Sequence, residues 1–219
     1  MIFFNKQAVL FDLDGTVIDS QAGIRNSLIY AFGHLGMPIP PEEVLHQFFG
    51  PSLAFTFRRL FRFSEAECDR AVSLYREYYN AGGLFECTPY PGIPELLQAL
   101  HANGRRVILA TKKPEQMAVR ILEGLGLSPF FHEICGSSPE DKTEHKGHIL
   151  TAALERAGIS DRSTAVMVGD MSYDCIAARE AGIDCIGVLY GYGDEKNLSE
   201  CPPQAIAHDA DELAALLLP

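Results

Sequence analysis

Positive charge is the scarce kind in this sequence. Lys and Arg number 18 against 29 Asp and Glu in 219 residues, a formal net charge of −11. That balance argues against nucleic acid or an anionic membrane surface as the main partner, since both are bound through a cationic face. It also means that an anionic substrate must be received by local cations or by a metal. Long apolar runs are missing as well. None reaches a membrane-spanning length, and residues 1–10, interrupted by Asn5 and Lys6, are too short for a signal peptide. The six cysteines, at 68, 87, 135, 175, 185 and 201, include no Cys-x-x-Cys pair, so neither a zinc site nor a redox couple is signalled. They read as reduced, mostly buried thiols of a cytoplasmic protein. There is no internal repeat and no low-complexity segment. The expectation is a protein with no nucleic-acid and no membrane partner, acting as a monomer or homodimer.

What is present is organised around Ala8-Val9-Leu10-Phe11-Asp12-Leu13-Asp14-Gly15-Thr16. A short apolar run reads as a strand buried on both faces, as in parallel sheets. Alternation along extended backbone puts Asp12 and Asp14 on one side, and Gly15 allows a sharp break just after them. Carboxyl ends of parallel strands are where open α/β sheets bind ligands. Two carboxylates there are costly to bury unless paired or bound to a metal. A calcium loop is the poorer reading, because Gly15 arrives before a third acid or amide.

Residues 21–90 change character. Apolar spacing at Ile24, Leu28, Phe32 and Leu35 predicts a helix ended by Gly36 and Pro38. Pro40-Pro41-Glu42-Glu43 opens another, Gly50-Pro51-Ser52 interrupts it, and 53–61 resumes. Ser64-Glu65-Ala66-Glu67 has the form of a capping box before a helix through Tyr79. No strand is predicted there. From Gly92 onward helices (95–102, 114–125, 146–157, 174–181, 211–217) alternate with strands (107–110, 132–135, 165–168, 183–188, 205–207). This alternation predicts right-handed crossovers and a doubly wound parallel sheet, an α/β core of 1–19 and 91–219 interrupted by a helical domain at 20–90.

Phe11-Asp12-Leu13-Asp14-Gly15-Thr16 resembles the first motif of the haloacid dehalogenase superfamily, in its phosphatase branch. Three further segments fall in the family's order. Thr111 ends the second strand where the family has a Ser or Thr donating to the phosphoryl group. Lys112 beside it either adds charge at that site or is solvated, and Lys113 follows. A lysine is needed to compensate charge on the phosphoryl oxygens and the nucleophile. Lys146 is preferred to Lys142, because Lys146 opens a helix whose apolar positions (Ile149, Leu150, Ala153, Leu154) aim it at the sheet edge, whereas Lys142 lies in a polar loop. Relatives often have Lys-Pro where this chain has Lys146-Gly147. Gly169-Asp170-Met171-Ser172-Tyr173-Asp174 matches the form that relatives use to hold Mg²⁺, a hard cation suited to a few oxygen ligands. Asp170 is assigned to the metal directly; Asp174 acts directly, through water, or as a helix N-terminal charge. His145 and His148 sit three apart, but the sequence shows no third metal ligand beside them, and they read as surface residues.

The resemblance implies a Rossmann-like core with a helical cap inserted after the first strand, and a Mg²⁺-dependent phosphatase, phosphoglycolate phosphatase-like, acting on a small phosphorylated metabolite. Asp12 would be the nucleophile that forms an aspartyl-phosphate, and Asp14 the general acid and base that also lends its main-chain carbonyl to the metal. The presence of Asp14 argues against the dehalogenase branch. A phosphomutase, a pyrophosphatase, a 5′-nucleotidase and a non-catalytic binding module on the same fold are the alternatives. Substrate choice is expected in residues 20–90. Residues 21–90 hold 13 of the chain's 21 Phe and Tyr. Gly50 sits in a loop of the kind that relatives turn towards the catalytic edge, and Arg58 and Arg59 are candidates to pair with a second anionic group on the substrate.

Overall fold

The four residues Ala8–Phe11 (β1) are all buried, as befits an apolar strand covered on both faces. The structure, a computed structural model, describes residues 3–138 and 145–219. After β1 come Ile18–Asp19 (β2), Gln21–His34 (α1), Glu42–Leu45 (α2), Leu53–Phe61 (α3), Glu65–Ala81 (α4), Thr88–Pro89 (β3) and Ile93–Ala102 (α5). Then follow Arg106–Pro114 (β4), Glu115–Gly124 (α6), Glu133–Ser137 (β5), Gly147–Arg156 (α7), Ala165–Gly169 (β6) and Ser172–Ala181 (α8). Asp184–Val188 (β7), Glu195–Ser199 (α9), Ala205–Ala207 (β8) and Ala210–Leu217 (α10) complete the chain. It divides into two compact units, Met1–Asp19 with Pro89–Pro219, and Ser20–Thr88.

The larger unit is a six-stranded sheet in the order β5-β4-β1-β6-β7-β8, with every pair parallel. This is the α/β class that the helix–strand alternation predicts. From β1 the chain builds outwards through β4 and β5, then returns to the other side of β1 with β6. The order reverses between β1 and β6, and the carboxyl ends of strands flanking such a reversal form a ready crevice. On one face Ala8 and Leu10 of β1 pack with Ile149, Leu150, Ala153 and Leu154 of α7 and with Cys175 and Ala178 of α8. Complete burial of a side chain such as Leu10 contributes about 2 kcal/mol.

β4 runs past the apolar stretch, through Lys112 and Lys113, which the apolar pattern alone left outside the strand. The reason is a bulge: Ala110 pairs with Cys135 but Pro114 with Ser137, so four steps on β4 oppose two on β5. A bulge at a strand end re-aims side chains beside a site. β3, α9 and β2 are too short (two, five and two residues) to leave a periodic signal; α9 starts where Asp194 accepts from Asn197 N at 2.7 Å. So β3 is a small departure from the strand-free reading of 21–90.

In the helical unit α1 and α4 pack side by side. The capping box at Ser64 is formed in both directions: Ser64 N donates to Glu67 Oε2 at 2.8 Å, and Glu67 N to Ser64 Oγ at 3.4 Å. Such a cap contributes about 1 kcal/mol. Phe32, Phe48 and Phe57 are buried and clustered, with Phe48 and Phe57 edge to face at 4.9 Å. These three therefore serve as core.

Candidate active site

Past Phe11 the chain keeps its alternation for three residues. Leu13 is fully buried, while Asp12 and Asp14 on either side of it are only partly so. The turn that follows needs glycine at position 15, where φ is +80° and a Cβ would overlap the Asp170 carboxylate. Asp12 N donates to Val168 O at 3.0 Å, tying the end of β1 to β6. One residue beyond β6 stands Asp170, which is fully buried.

Lys146, the residue capping the N-terminus of α7, is itself buried and bridges two of these acids. Its Nζ lies 2.7 Å from Asp12 Oδ1 and 2.5 Å from Asp174 Oδ1. The other oxygen of Asp174 accepts from Met171 N at 3.2 Å, so Asp174 both caps α8 and holds the ammonium in place. Asp170 accepts from Thr16 Oγ1 on Oδ1 (3.1 Å) and from Tyr192 N on Oδ2 (2.9 Å). Asp14 is paired through Oδ2 with Lys113 Nζ at 3.0 Å. Thr111 is buried, and its Oγ1 accepts from Lys113 N at 3.2 Å; a hydroxyl that accepts there still has its own proton to donate.

Burial is the largest single influence on Asp12, Asp170 and Lys146. It raises the Asp12 carboxyl to about 6; Lys146 opposes the shift, and Asp174 and Asp14 add to it. Burial likewise raises Asp170 to about 8, with Asp174 and Asp12 reinforcing it and the Tyr192 N–H and Thr16 hydroxyl opposing. For Lys146 burial acts downwards, but Asp12 and Asp174 outweigh it and hold the ammonium well above its ordinary range. Lys146 is therefore a permanent cation between two acids. Tyr90 and Tyr190, raised first by burial and then by the nearby acids, stay neutral.

Among the described residues, Asp12, Asp170 and Asp174 each offer one carboxylate oxygen, all within 4.8 Å of one another. This all-oxygen donor set suits Mg²⁺. A second observation agrees: Asp12 Oδ1 is buried, and apart from the Lys146 ammonium 2.7 Å away it has no polar partner. A carboxylate oxygen so placed keeps a lone pair for a metal cation.

The structure thus gathers Asp12, Asp14, Thr111, Lys146, Asp170 and Asp174 at the carboxyl ends of β1, β4 and β6. Lys142 lies outside the described residues. Lys112 is partly buried and its carbonyl accepts from Ser137 Oγ at 2.8 Å, while the lysine that reaches the acids is Lys113. Strand alternation from Thr111 selects Lys113, two residues on, and was the signal to use. Sequence reading also passed over Thr16, Tyr190 and Tyr192; the cue was the pair of glycines in Tyr190-Gly191-Tyr192-Gly193, just after a strand of the same edge. Gly50, Arg58 and Arg59 belong to the helical unit and are exposed; Arg59 donates to Gln47 Oε1 at 3.2 Å and lies over the Phe55 ring. His145 and His148 are exposed. No described helix is long and apolar enough to cross a membrane.

The chain matches the family described as haloacid dehalogenase-like hydrolase over residues 9–188. It is 36% identical to a 5′-nucleotidase of Pseudomonas aeruginosa across 95% of this chain and 92% of that one. It is 35% identical to a phosphoglycolate phosphatase of Agrobacterium fabrum, across 94% of this chain and 89% of the relative. The crystal structure of a putative phosphatase from Clostridium difficile superposes with a TM-score of 0.90 at 36% identity, covering 98% and 99% of the two chains. The chain belongs to the haloacid dehalogenase-like hydrolase family.

Proposed function

We propose that this phosphatase of the haloacid dehalogenase-like family hydrolyses a small phosphomonoester through a phosphoryl group carried transiently on Asp12. The observation that carries the reading is the placement of Asp12 at the carboxyl end of β1, its Oδ1 buried and held 2.7 Å from a permanent ammonium, with no other polar partner. That is the condition of a carboxylate kept ready to attack.

In the first half-reaction an Asp12 oxygen attacks phosphorus as the bond from phosphorus to the leaving oxygen breaks. The Asp14 carboxyl gives its proton to that oxygen, so the alcohol leaves neutral. In the second half, Asp14 takes a proton from water as the water oxygen attacks phosphorus. The bond from phosphorus to Asp12 breaks, which releases phosphate and restores both carboxyl groups. Lys146 balances charge on Asp12 and the phosphoryl oxygens throughout, and the Thr111 hydroxyl donates to one of those oxygens. Lys113, paired with Asp14, holds the acid–base carboxylate in one orientation. Mg²⁺ would be held by Asp12, Asp170 and the Asp14 carbonyl, with Asp174 contributing directly or through Lys146; when bound it neutralises phosphoryl charge. Substrate choice falls to the helical unit, whose exposed Arg58 and Arg59 offer guanidinium groups to a second anion on the substrate, alongside the Gly50 loop.

The named relatives act on different phosphoesters, so the substrate is read here only as a small one. A phosphate-release screen over phosphoglycolate-like esters, sugar phosphates, nucleotides and pyrophosphate, with Mg²⁺ and with chelator, tests the proposal. Release from one class of monoester, absent in chelator, is the expected result. Conversion of a sugar phosphate to its isomer without phosphate release would reassign the chain as a mutase.

A further inference from the structure

Residues 190–193 follow β7 and carry two glycines that backbone conformation does not require, since neither has a positive φ. Close approach requires them instead. A Cβ on Gly191 would overlap Gly15 O and stand 2.5 Å from Asp170 Cβ; one on Gly193 would overlap the Asp170 carbonyl and stand 3.2 Å from Met171 Sδ. The segment therefore lies directly against the turn after β1 and the residue after β6. In that position Tyr192 N donates to Asp170 Oδ2 at 2.9 Å, with Gly193 N at 3.4 Å. Tyr190 anchors the other end: its hydroxyl donates to Thr16 O at 3.1 Å, and its ring packs on Tyr90 with centroids 4.9 Å apart. Thr16 in turn donates to Asp170 Oδ1, so both oxygens of a fully buried carboxylate are fixed by groups that belong to, or are held by, one short segment.

We propose that residues 190–193 are a positioning loop for Asp170. The backbone N–H of Tyr192 sets the plane of that carboxylate, the hydroxyl of Tyr190 fixes the Thr16 donor on its other oxygen, and affinity for Mg²⁺ at this edge depends on both. This rests on the Mg²⁺ assignment in the proposed function. Partners behind a metal ligand orient it, and their loss typically lowers affinity or activity by about 10- to 100-fold.

The test uses the whole chain and Mg²⁺ itself as the probe. Three variants are compared with the parent: a backbone ester in place of the Tyr192 amide, which deletes the N–H and keeps the side chain, Gly193→Ala, and Tyr190→Phe. Isothermal titration calorimetry gives the affinity for Mg²⁺; circular dichroism and thermal unfolding in chelator report the fold. The expected result is a fall in affinity of roughly 10- to 100-fold for the ester and for Gly193→Ala, and about fivefold for Tyr190→Phe, one hydrogen bond's worth. Turnover should need correspondingly more Mg²⁺, with KM for substrate unchanged once the metal is saturating. If Gly193→Ala does not fold, the ester and Tyr190→Phe decide the matter. Folded variants that bind Mg²⁺ as tightly as the parent overturn the loop's role and leave the metal assignment intact. A parent protein that binds no Mg²⁺ and turns over in chelator overturns both.

Discussion

Replacing Asp170 by Asn should stabilise the metal-free protein at pH 8 while removing its response to Mg²⁺. Asp170 is fully buried, and burial with the neighbouring Asp174 and Asp12 raises its carboxyl from 3.8 to about 8. The folded chain therefore holds this proton more tightly than the unfolded chain does. The associated stability is complete below about pH 4 and is lost as pH rises through about 8. Between pH 5 and pH 8 the wild type crosses about three pH units of that window, a ceiling of about 4 kcal/mol at roughly 1.4 kcal/mol per unit. The Asn variant avoids the loss but at either pH keeps only part of the hydrogen bonding from Thr16 and Tyr192, which lowers the expected gain over wild type at pH 8 to about 2–3 kcal/mol. Urea unfolding at both pH values in chelator measures this, and titrating Mg²⁺ into wild type at pH 8 should restore stability that the variant does not regain. An Asp170→Asn chain as destabilised at pH 8 as at pH 5 would refute the reasoning, because burial of the ionised form would then cost nothing.

Other outcomes follow from the same geometry. Lys146→Ala leaves Asp12 and Asp174 facing each other without their shared cation. It should cost about 3–5 kcal/mol in denaturant unfolding and abolish phosphate release, whereas Lys142→Ala should leave release within about twofold. Lys113→Ala unpairs Asp14 and should slow turnover about tenfold with little effect on KM, as steady-state kinetics will report. Arg58→Ala and Arg59→Ala should raise KM for a carboxylate-bearing phosphoester and leave that for a neutral aryl phosphate unchanged; equal effects on both would make these arginines ordinary surface charge.

The sheet was legible because its strands are apolar enough to be read without partners: Ala8–Phe11 and Ala165–Gly169 stand out against polar flanks, and the helices between them are amphipathic. Asp12, Asp14 and Asp170 stood out because their segments resemble the family's motifs in the family's order; an acid after a strand reads by itself equally well as a turn residue. Lys146 was placed by helix phase. Alternation from Thr111 points to Lys113 rather than Lys112, but the apolar pattern stops at Ala110, so that the strand continues that far shows only in its pairing with β5. The role of residues 190–193 was least visible of all. Its donors are backbone N–H groups, which every residue carries, and only the approach to Asp170 distinguishes them. The aromatic residues of the helical unit fit a core as well as a binding face; Phe32, Phe48 and Phe57 are core, and no pattern in the sequence separated the two uses.

The central claim is that the phosphoryl group passes through Asp12. Rapid quenching during turnover, followed by borohydride reduction of any acyl-phosphate and mass spectrometry of the peptides, reads that directly. Substrate-dependent reduction is expected at Asp12 and nowhere else, lost in an Asp12→Asn chain that keeps its fold and makes no phosphate. Turnover without modification at Asp12, or modification at Asp14 or Asp170 instead, would contradict it.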